Sequence, residues 1–285
     1  MNISNRFLSI AFVSSMLLAS CGGNNSEQGK TAATDTVKVM PYPAIGLAAV
    51  GTSPEFPDAQ LSIAKVSSAK QGKDSAKVSF EFAVKNYQLG MQTADSATKM
   101  CNNSAKGQHI HFILDNQPYQ ALYEPKNEIV LADNTEHYLM AFLSRSYHES
   151  LKNKGAAVVY HFKIDEKGNL KKMEEPKTPM VFYSRPKGDY IGKDTTNILL
   201  DFYVWNCNLA ADGYKVKAQI TNPDIPAHDT TVTITEWKSN FINNLGTGKS
   251  HVTLTLVDKD GKNVDGPNTN VTRNFQLAAS EPMKK

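Results

Sequence analysis

Cysteine is scarce in this chain, with three in 285 residues. So few exclude a disulfide-stapled scaffold and a zinc site built mainly of thiolates. Neither sign of charge dominates: 31 Lys and Arg stand against 28 Asp and Glu. No run of Lys or Arg forms the clustered basic surface that a nucleic acid requires, so no nucleic-acid partner is expected. Beyond the first twenty or so residues no apolar run is long enough to cross a bilayer as a helix, and no long segment carries a helical period. Also missing are a Gly-rich phosphate loop, a paired-carboxylate pattern, a nucleophile elbow and a His-Glu-x-x-His helix. The expected class is therefore a non-catalytic protein rather than an enzyme.

The N-terminus is the richest stretch. Asn5-Arg6 is followed by an apolar run from Phe7 to Leu18, then Leu18-Ala19-Ser20-Cys21 and Gly22-Gly23. A cationic start, a short apolar core and small residues before the cut read as a secretory signal over residues 1–20. Leu-Ala-Ser-Cys resembles a bacterial lipobox. That resemblance implies that Cys21 becomes the lipidated N-terminus and that the membrane is met through this lipid. Residues 21–55 then read as a tether and lead-in. Gly22 to Asp35 is too polar to bury a core, and Thr36 to Pro57, with four prolines, reads as a semi-extended segment lying along the first domain. Gly22-Gly-Asn-Asn-Ser-Glu27 carries little acidic charge. By the same resemblance, this places the protein in the outer membrane, on the periplasmic side. Cys101 and Cys207 are left as two free or buried thiols, with a disulfide between them as the alternative.

The rest of the chain repeats itself. Val78–Asn86 aligns with Ile198–Asn206, Gly107–Phe112 with Gly213–Ala218, Tyr123, Leu131 and His137 with Trp237, Leu245 and His251, and His161–Ile164 with Asn274–Leu277. Each pair sits at a nearly constant offset, broken by one extra stretch in the first copy, Gly90 to Lys106. The matched segments alternate apolar and polar residues, the period of half-buried strands. Turn clusters such as Asp115-Asn-Gln-Pro118 and Thr221-Asn-Pro-Asp224 separate them. The expected fold is all-β: two tandem immunoglobulin-like β-sandwich domains, 56–173 and 178–277, with a short tail over 278–285.

The duplication is an internal control. Where the first copy has His109 and His111, the second has Lys215 and Lys217. Lys is seldom buried without a partner, so this face of the strand is expected to point away from its own sandwich, with the imidazoles side by side. On the neighbouring strands Leu139, Ala141, Leu143, Val159 and His161 are expected on the same outward face, with Tyr138, Met140 and Phe142 turned inward. Such an apolar, His-bearing surface needs a cover. The segment 90–106, the lead-in or the second domain could supply it, or an envelope protein, peptide or glycan bound over Leu139, Ala141, Leu143 and Arg145. Alternatively, His109, His111 and a third ring from His161 or His148 could hold copper or zinc, because imidazole suits both ions. Ser144-Arg145-Ser-Tyr-His148-Glu-Ser150 is either a solvated hairpin loop or an anion site of phosphopeptide type.

The lipobox with its low-complexity tether, Gly107-Gln-His109-Ile-His111-Phe-Ile-Leu-Asp115-Asn-Gln-Pro118-Tyr119, and Ser144-Arg-Ser-Tyr-His148-Glu-Ser-Leu together resemble a group of Bacteroidota lipoproteins with tandem Ig-like domains. Some of these carry a phosphopeptide-binding label. The resemblance implies no catalytic residues, and Arg145 is the position where such a label would find physical support.

Overall fold

Alternation in the sequence becomes strands wherever one face can be buried. The structure, a computed structural model, describes residues 42–280. The stretches expected to be signal peptide and tether, with Cys21, lie outside the described residues except for 42–55, as do residues 281–285. In chain order the strands are β1 (Gly46–Ala49), β2 (Gln60–Lys70), β3 (Ser75–Lys85), β4 (His109–Leu114), β5 (Gln120–Leu122), β6 (Lys126–Ala132), β7 (Thr135–Ser144), β8 (Ala157–Ile164), β9 (Leu170–Lys172), β10 (Met180–Arg185), β11 (Gly188–Ile191), β12 (Ile198–Trp205), β13 (Lys215–Thr221), β14 (Asp229–Ile234), β15 (Asn240–Asn243), β16 (Gly248–Val257) and β17 (Asn270–Ala278). Among the described residues no helix is long and apolar enough to cross a membrane.

The strands make two immunoglobulin-like sandwiches. In the first, the sheet β2-β3-β6 packs on β5-β4-β7-β8-β9. In the second, β1-β15-β12-β10 packs on β11-β17-β16-β13-β14. The run β4-β7-β8 in the first recurs as β13-β16-β17 in the second, and β3-β6 recurs as β12-β15. These are the segments that align in the sequence. The repeat extends to backbone detail. Both β3 and β12 run into an Asn with positive φ, Asn86 (54°) and Asn206 (56°), a conformation that Asn tolerates better than most residues.

Each core follows from the alternation. Ala76, Val78, Phe80 and Phe82 of β3 point inward and meet Ile110, Phe112, Phe162 and Ile164. Phe80 sits at the centre of this group, with ring centroids 5.4 Å from Phe112 and 5.8 Å from Phe162. A third apolar cluster lies between the sandwiches. Ile113, Met140, Phe142, Ala157 and Val159, on the outer face of the first sandwich, meet Met180, Phe182 and Tyr203 of β10 and β12. Phe142 stacks on Tyr203 at 5.1 Å. The second sandwich is therefore the cover that the His-bearing face required.

Two expectations are corrected here. The inward and outward faces of β7 are the reverse of those anticipated. The register Ile110↔Leu143, Phe112↔Ala141 and Leu114↔Leu139 sets these three residues beside the inward residues of β4. Leu139, Ala141 and Leu143 are accordingly fully buried in the first core and offer nothing to a partner. Tyr138, Met140 and Phe142 take the outer face. The lead-in also does not simply follow the first domain. Gly46–Ala49 pairs antiparallel with Asn240–Asn243 and becomes an edge strand of the second sandwich. The chain then crosses to the first, where the Pro54 carbonyl accepts from Arg145. Cys101 is buried and Cys207 half-buried, and both are free thiols.

Truncation of Phe80 should cost about 3–5 kcal/mol, as expected for a fully buried aromatic, whereas Val130→Ala, at a side chain 54% exposed, should change stability by less than about 0.5 kcal/mol. Urea unfolding of the two variants checks the placement of the core.

Candidate functional site

The site grows from a glycine. Gly107 precedes β4 with φ of 84°, and a Cβ there would lie 2.5 Å from the Met91 carbonyl oxygen and 2.6 Å from the Gly90 backbone. Only glycine lets the inserted segment 90–106 close this tightly against the start of the strand. The Gly107 carbonyl then accepts a hydrogen bond from His109 Nδ1 at 2.8 Å. That bond places the proton on Nδ1 and leaves Nε2 as a lone pair. His111, two residues on, is on the same face. Its Nδ1 lies 3.0 Å from the Ser184 hydroxyl of β10 in the second sandwich, and its Nε2 lies 2.9 Å from His109 Nε2.

His148 comes from the β7–β8 loop. Every residue of that loop from Ser144 to Ser150 is buried, which corrects the solvated-hairpin alternative. It closes on itself through Arg145 N–H to the Glu149 carbonyl and His148 N–H to the Arg145 carbonyl, both at 2.9 Å. His148 takes a positive φ of 70°, which turns its ring back over β4. Its Nδ1 stands 3.2 Å from His109 Nε2 and 3.2 Å from the Tyr119 hydroxyl. Three ring nitrogens thus converge within 4.8 Å of one another, and His109 and His111 are fully buried.

The surroundings hold all three rings neutral. Burial, opposed only partly by the Gly107 carbonyl, lowers the His109 pKa to about 4. Burial drives His111 and His148 well below the usual imidazole range, and Arg185 and Lys187 add to it. Burial, together with Arg185 and Arg273, lowers Lys187 itself to about 8. Neutral imidazole is the metal-binding form.

His161 does not join the cluster. The β7–β8 register places Ala157, not His161, across from Phe142 and next to His111 in the sheet. His161 pairs with Tyr138 instead, about four residues and so ~13 Å further along the strand, and bonds Glu136 at 2.7 Å. Arg145 is also not an anion site. Its Nε and Nη2 donate to the Pro54 carbonyl at 3.0 and 2.6 Å, and Nη1 lies 3.3 Å from Glu149. The guanidinium is occupied within the protein, which removes the feature that supported phosphopeptide binding.

Residues that the sequence did not single out complete the site. Tyr119 stacks on His111 at 3.6 Å and 7°. It is carried on a turn fixed to β10 by Asn116, whose side chain donates to the Val181 carbonyl and accepts from Tyr183 N–H, each at 2.8 Å. Arg185 and Lys187 stand behind it. The second-copy positions remain wet. Lys215 and Lys217 are partly exposed and donate to backbone carbonyls.

No family model matches the chain, and no curated protein matches it. Among solved structures it is similar to the fibronectin(III)-like modules of Clostridium thermocellum CbhA (10% identity, 77% of this chain and 95% of that chain, TM-score 0.26). It is also similar to the FN1–FN3 domains of chicken CNTN1 (8% identity, 78% and 68%, TM-score 0.23) and to the two tandem V-type regions of VCBP3 (7% identity, 83% and 100%, TM-score 0.22). These likenesses concern fold and carry no ligand or reaction to this chain.

The neutral rings fix a pH dependence. Unfolded imidazoles take up protons as pH falls below 6.5, while the folded rings do not until about pH 4 in the case of His109. The unfolded state then binds more protons, so stability falls as pH drops through this window, by at most about 1.4 kcal/mol per unit per ring. Urea midpoints of the chelator-treated protein at pH 7 and pH 5 should show this loss. A His109→Phe/His148→Phe variant should show a shallower one, and equal slopes would contradict the neutral cluster.

Proposed function

We propose that this chain is a non-catalytic, lipid-anchored envelope protein that binds one copper or zinc ion on His109, His111 and His148. The carrying observation is how the ring nitrogens are shared out. His109 and His111 each commit Nδ1 to an outer partner, the Gly107 carbonyl and the Ser184 hydroxyl, and turn Nε2 toward each other and toward His148. Metal-ligating histidines behave in this way, with the second nitrogen fixing tautomer and orientation. Nitrogen separations of 2.9 and 3.2 Å are close to the edge of about 3.3 Å expected for a tetrahedral ion at 2.0–2.1 Å from each ligand. Without an ion the arrangement is frustrated. His109 Nε2 can accept one N–H from His111, but it still faces His148 Nδ1, which accepts from Tyr119.

The envelope address rests on the Leu18–Cys21 motif, and the periplasmic side of the outer membrane on the weakly acidic stretch that follows it. Membrane contact would be through lipid at Cys21.

A second reading keeps a protein, peptide or glycan partner but moves it. The outer face of the first sandwich is covered, whereas a cleft of about 950 Å³ opens where the lead-in, the loop 149–153 and β14 meet, with Phe56, Lys152 and Trp237 among its walls.

Tag-free, full-length protein stripped with chelator and titrated with Zn(II), or with Cu(I) under reductant, should take up one ion per chain in competition with a chromophoric chelator. His109→Ala/His111→Ala should weaken uptake by roughly a hundredfold or more, and Ser184→Ala by about tenfold, with circular dichroism confirming the fold. Absence of uptake at micromolar metal, or uptake indifferent to the histidine changes, overturns the reading.

A further inference from the structure

We propose that Tyr119 is the fourth ligand of the ion held by His109, His111 and His148, bound as a phenolate. The inference rests on the metal reading above and deepens it, because it selects an oxidised or divalent ion over Cu(I). A three-nitrogen set alone accommodates either. A phenolate is an anionic oxygen donor, and it suits Cu(II) or Zn(II) better than the soft monovalent ion.

Position is the first argument. The Tyr119 hydroxyl is 3.2 Å from His148 Nδ1, the same atom that stands 3.2 Å from His109 Nε2. Its ring lies parallel to His111 at 3.6 Å and is 3% exposed. The phenol oxygen therefore stands at the His148 corner of the nitrogen triangle, on a side chain almost wholly shielded from water. It is also held there. Lys187 donates to the Tyr119 carbonyl at 2.7 Å, and Asn116 ties the turn to β10.

Charge is the second argument. Lys187 Nζ is 3.9 Å and Arg185 Cζ 5.4 Å from the centre of the Tyr119 ring. Arg185 is 6% exposed and its Nε has no hydrogen-bond partner. Among the described residues neither cation pairs with a carboxylate. Two poorly solvated cations without a counter-ion are costly, and beside three neutral imidazoles they oppose the arrival of a dication. Burial pushes the pKa of the free Tyr119 phenol up, and Arg185 beside it only partly offsets this, so the phenolate forms with the ion rather than before it and supplies the negative charge that the ion and the two cations lack. On binding, the Tyr119 O–H bond breaks, the metal–oxygen bond forms, and one proton leaves to the buffer.

Cu(II) added to the full-length, chelator-stripped chain tests this. Wild type should develop a phenolate-to-copper charge-transfer band in the visible, with tyrosinate modes in resonance Raman. Tyr119→Phe, which removes one oxygen and keeps the stacked ring, should still take up one Cu(II) through the three histidines, about tenfold more weakly, and should lack both signatures. A wild type that binds Cu(II) stoichiometrically without a phenolate band refutes the Tyr119 assignment and leaves the histidine site standing. A Tyr119→Phe spectrum identical to wild type refutes it too. A wild type that binds no ion, or binds equally with His109→Ala, overturns the metal reading itself.

Discussion

The molecule depends on the burial of one sheet face that its own sandwich leaves uncovered. The outer side of β4, β7 and β8 is closed by β10 and β12 of the second sandwich, through Met140, Phe142, Val159, Met180, Phe182 and Tyr203. The closure is pinned at its margins by polar groups. Asp201, fully buried, accepts from Ser150 and Ser239 and pairs with Lys152 at 3.0 Å, so the β7–β8 loop is bonded to the second sandwich rather than to water. The inserted segment 90–106 reaches the same partner, with a bridge from Cys101 to Asn197 and a bond from Asn102 to Asp194. Everything proposed for the site follows from this closure. It removes His109 and His111 from water, and it brings Ser184, Arg185 and Lys187 up to them.

The duplicated strand shows how much of a residue's role is set by its surroundings. β4 and β13 occupy equivalent places in equivalent sheets, and both turn their odd-numbered side chains away from the core. In β13 these are Lys215, Lys217 and Gln219, with ammonium groups near solvent and bonded to carbonyls. In β4 they are His109, His111 and Ile113, all fully buried. A lysine pair at β4 would be two unpaired charges at a closed interface. An imidazole can discard its charge, keep both nitrogens bonded and stack on a tyrosine, so it can occupy a site that an ammonium group cannot.

Much of the fold was legible. The strands, their pairing into two sandwiches, the four matched segments and the outward direction of His109 and His111 all follow from period-two alternation and the repeat. The faces of β7 were not legible from alternation, because Tyr138-Leu-Met-Ala-Phe-Leu143 is apolar on both sides. That run was itself a signal: a strand without a polar face is covered on both, and Met180-Val-Phe-Tyr183 and Ile198-Leu-Leu200 say the same of β10 and β12. Taken together, these runs identify the pair of sheets that meet. His148 could be named as a third ring. Tyr119, Ser184 and Arg185 could not, because they approach β4 from a turn and from another domain.

What the sequence by itself determined is local and periodic: the strands, the duplication, and the face on which two histidines lie. Those properties depend on neighbours along the chain and on the two-residue repeat of a strand. Only the tertiary structure decided that this face is covered by the second sandwich. It also decided that His148 and not His161 stands with the pair, and that Arg145 is consumed by Pro54 and Glu149. Strand register and domain docking bring together residues far apart in the chain, and hydrophobic patterning specifies which face is buried without specifying what buries it.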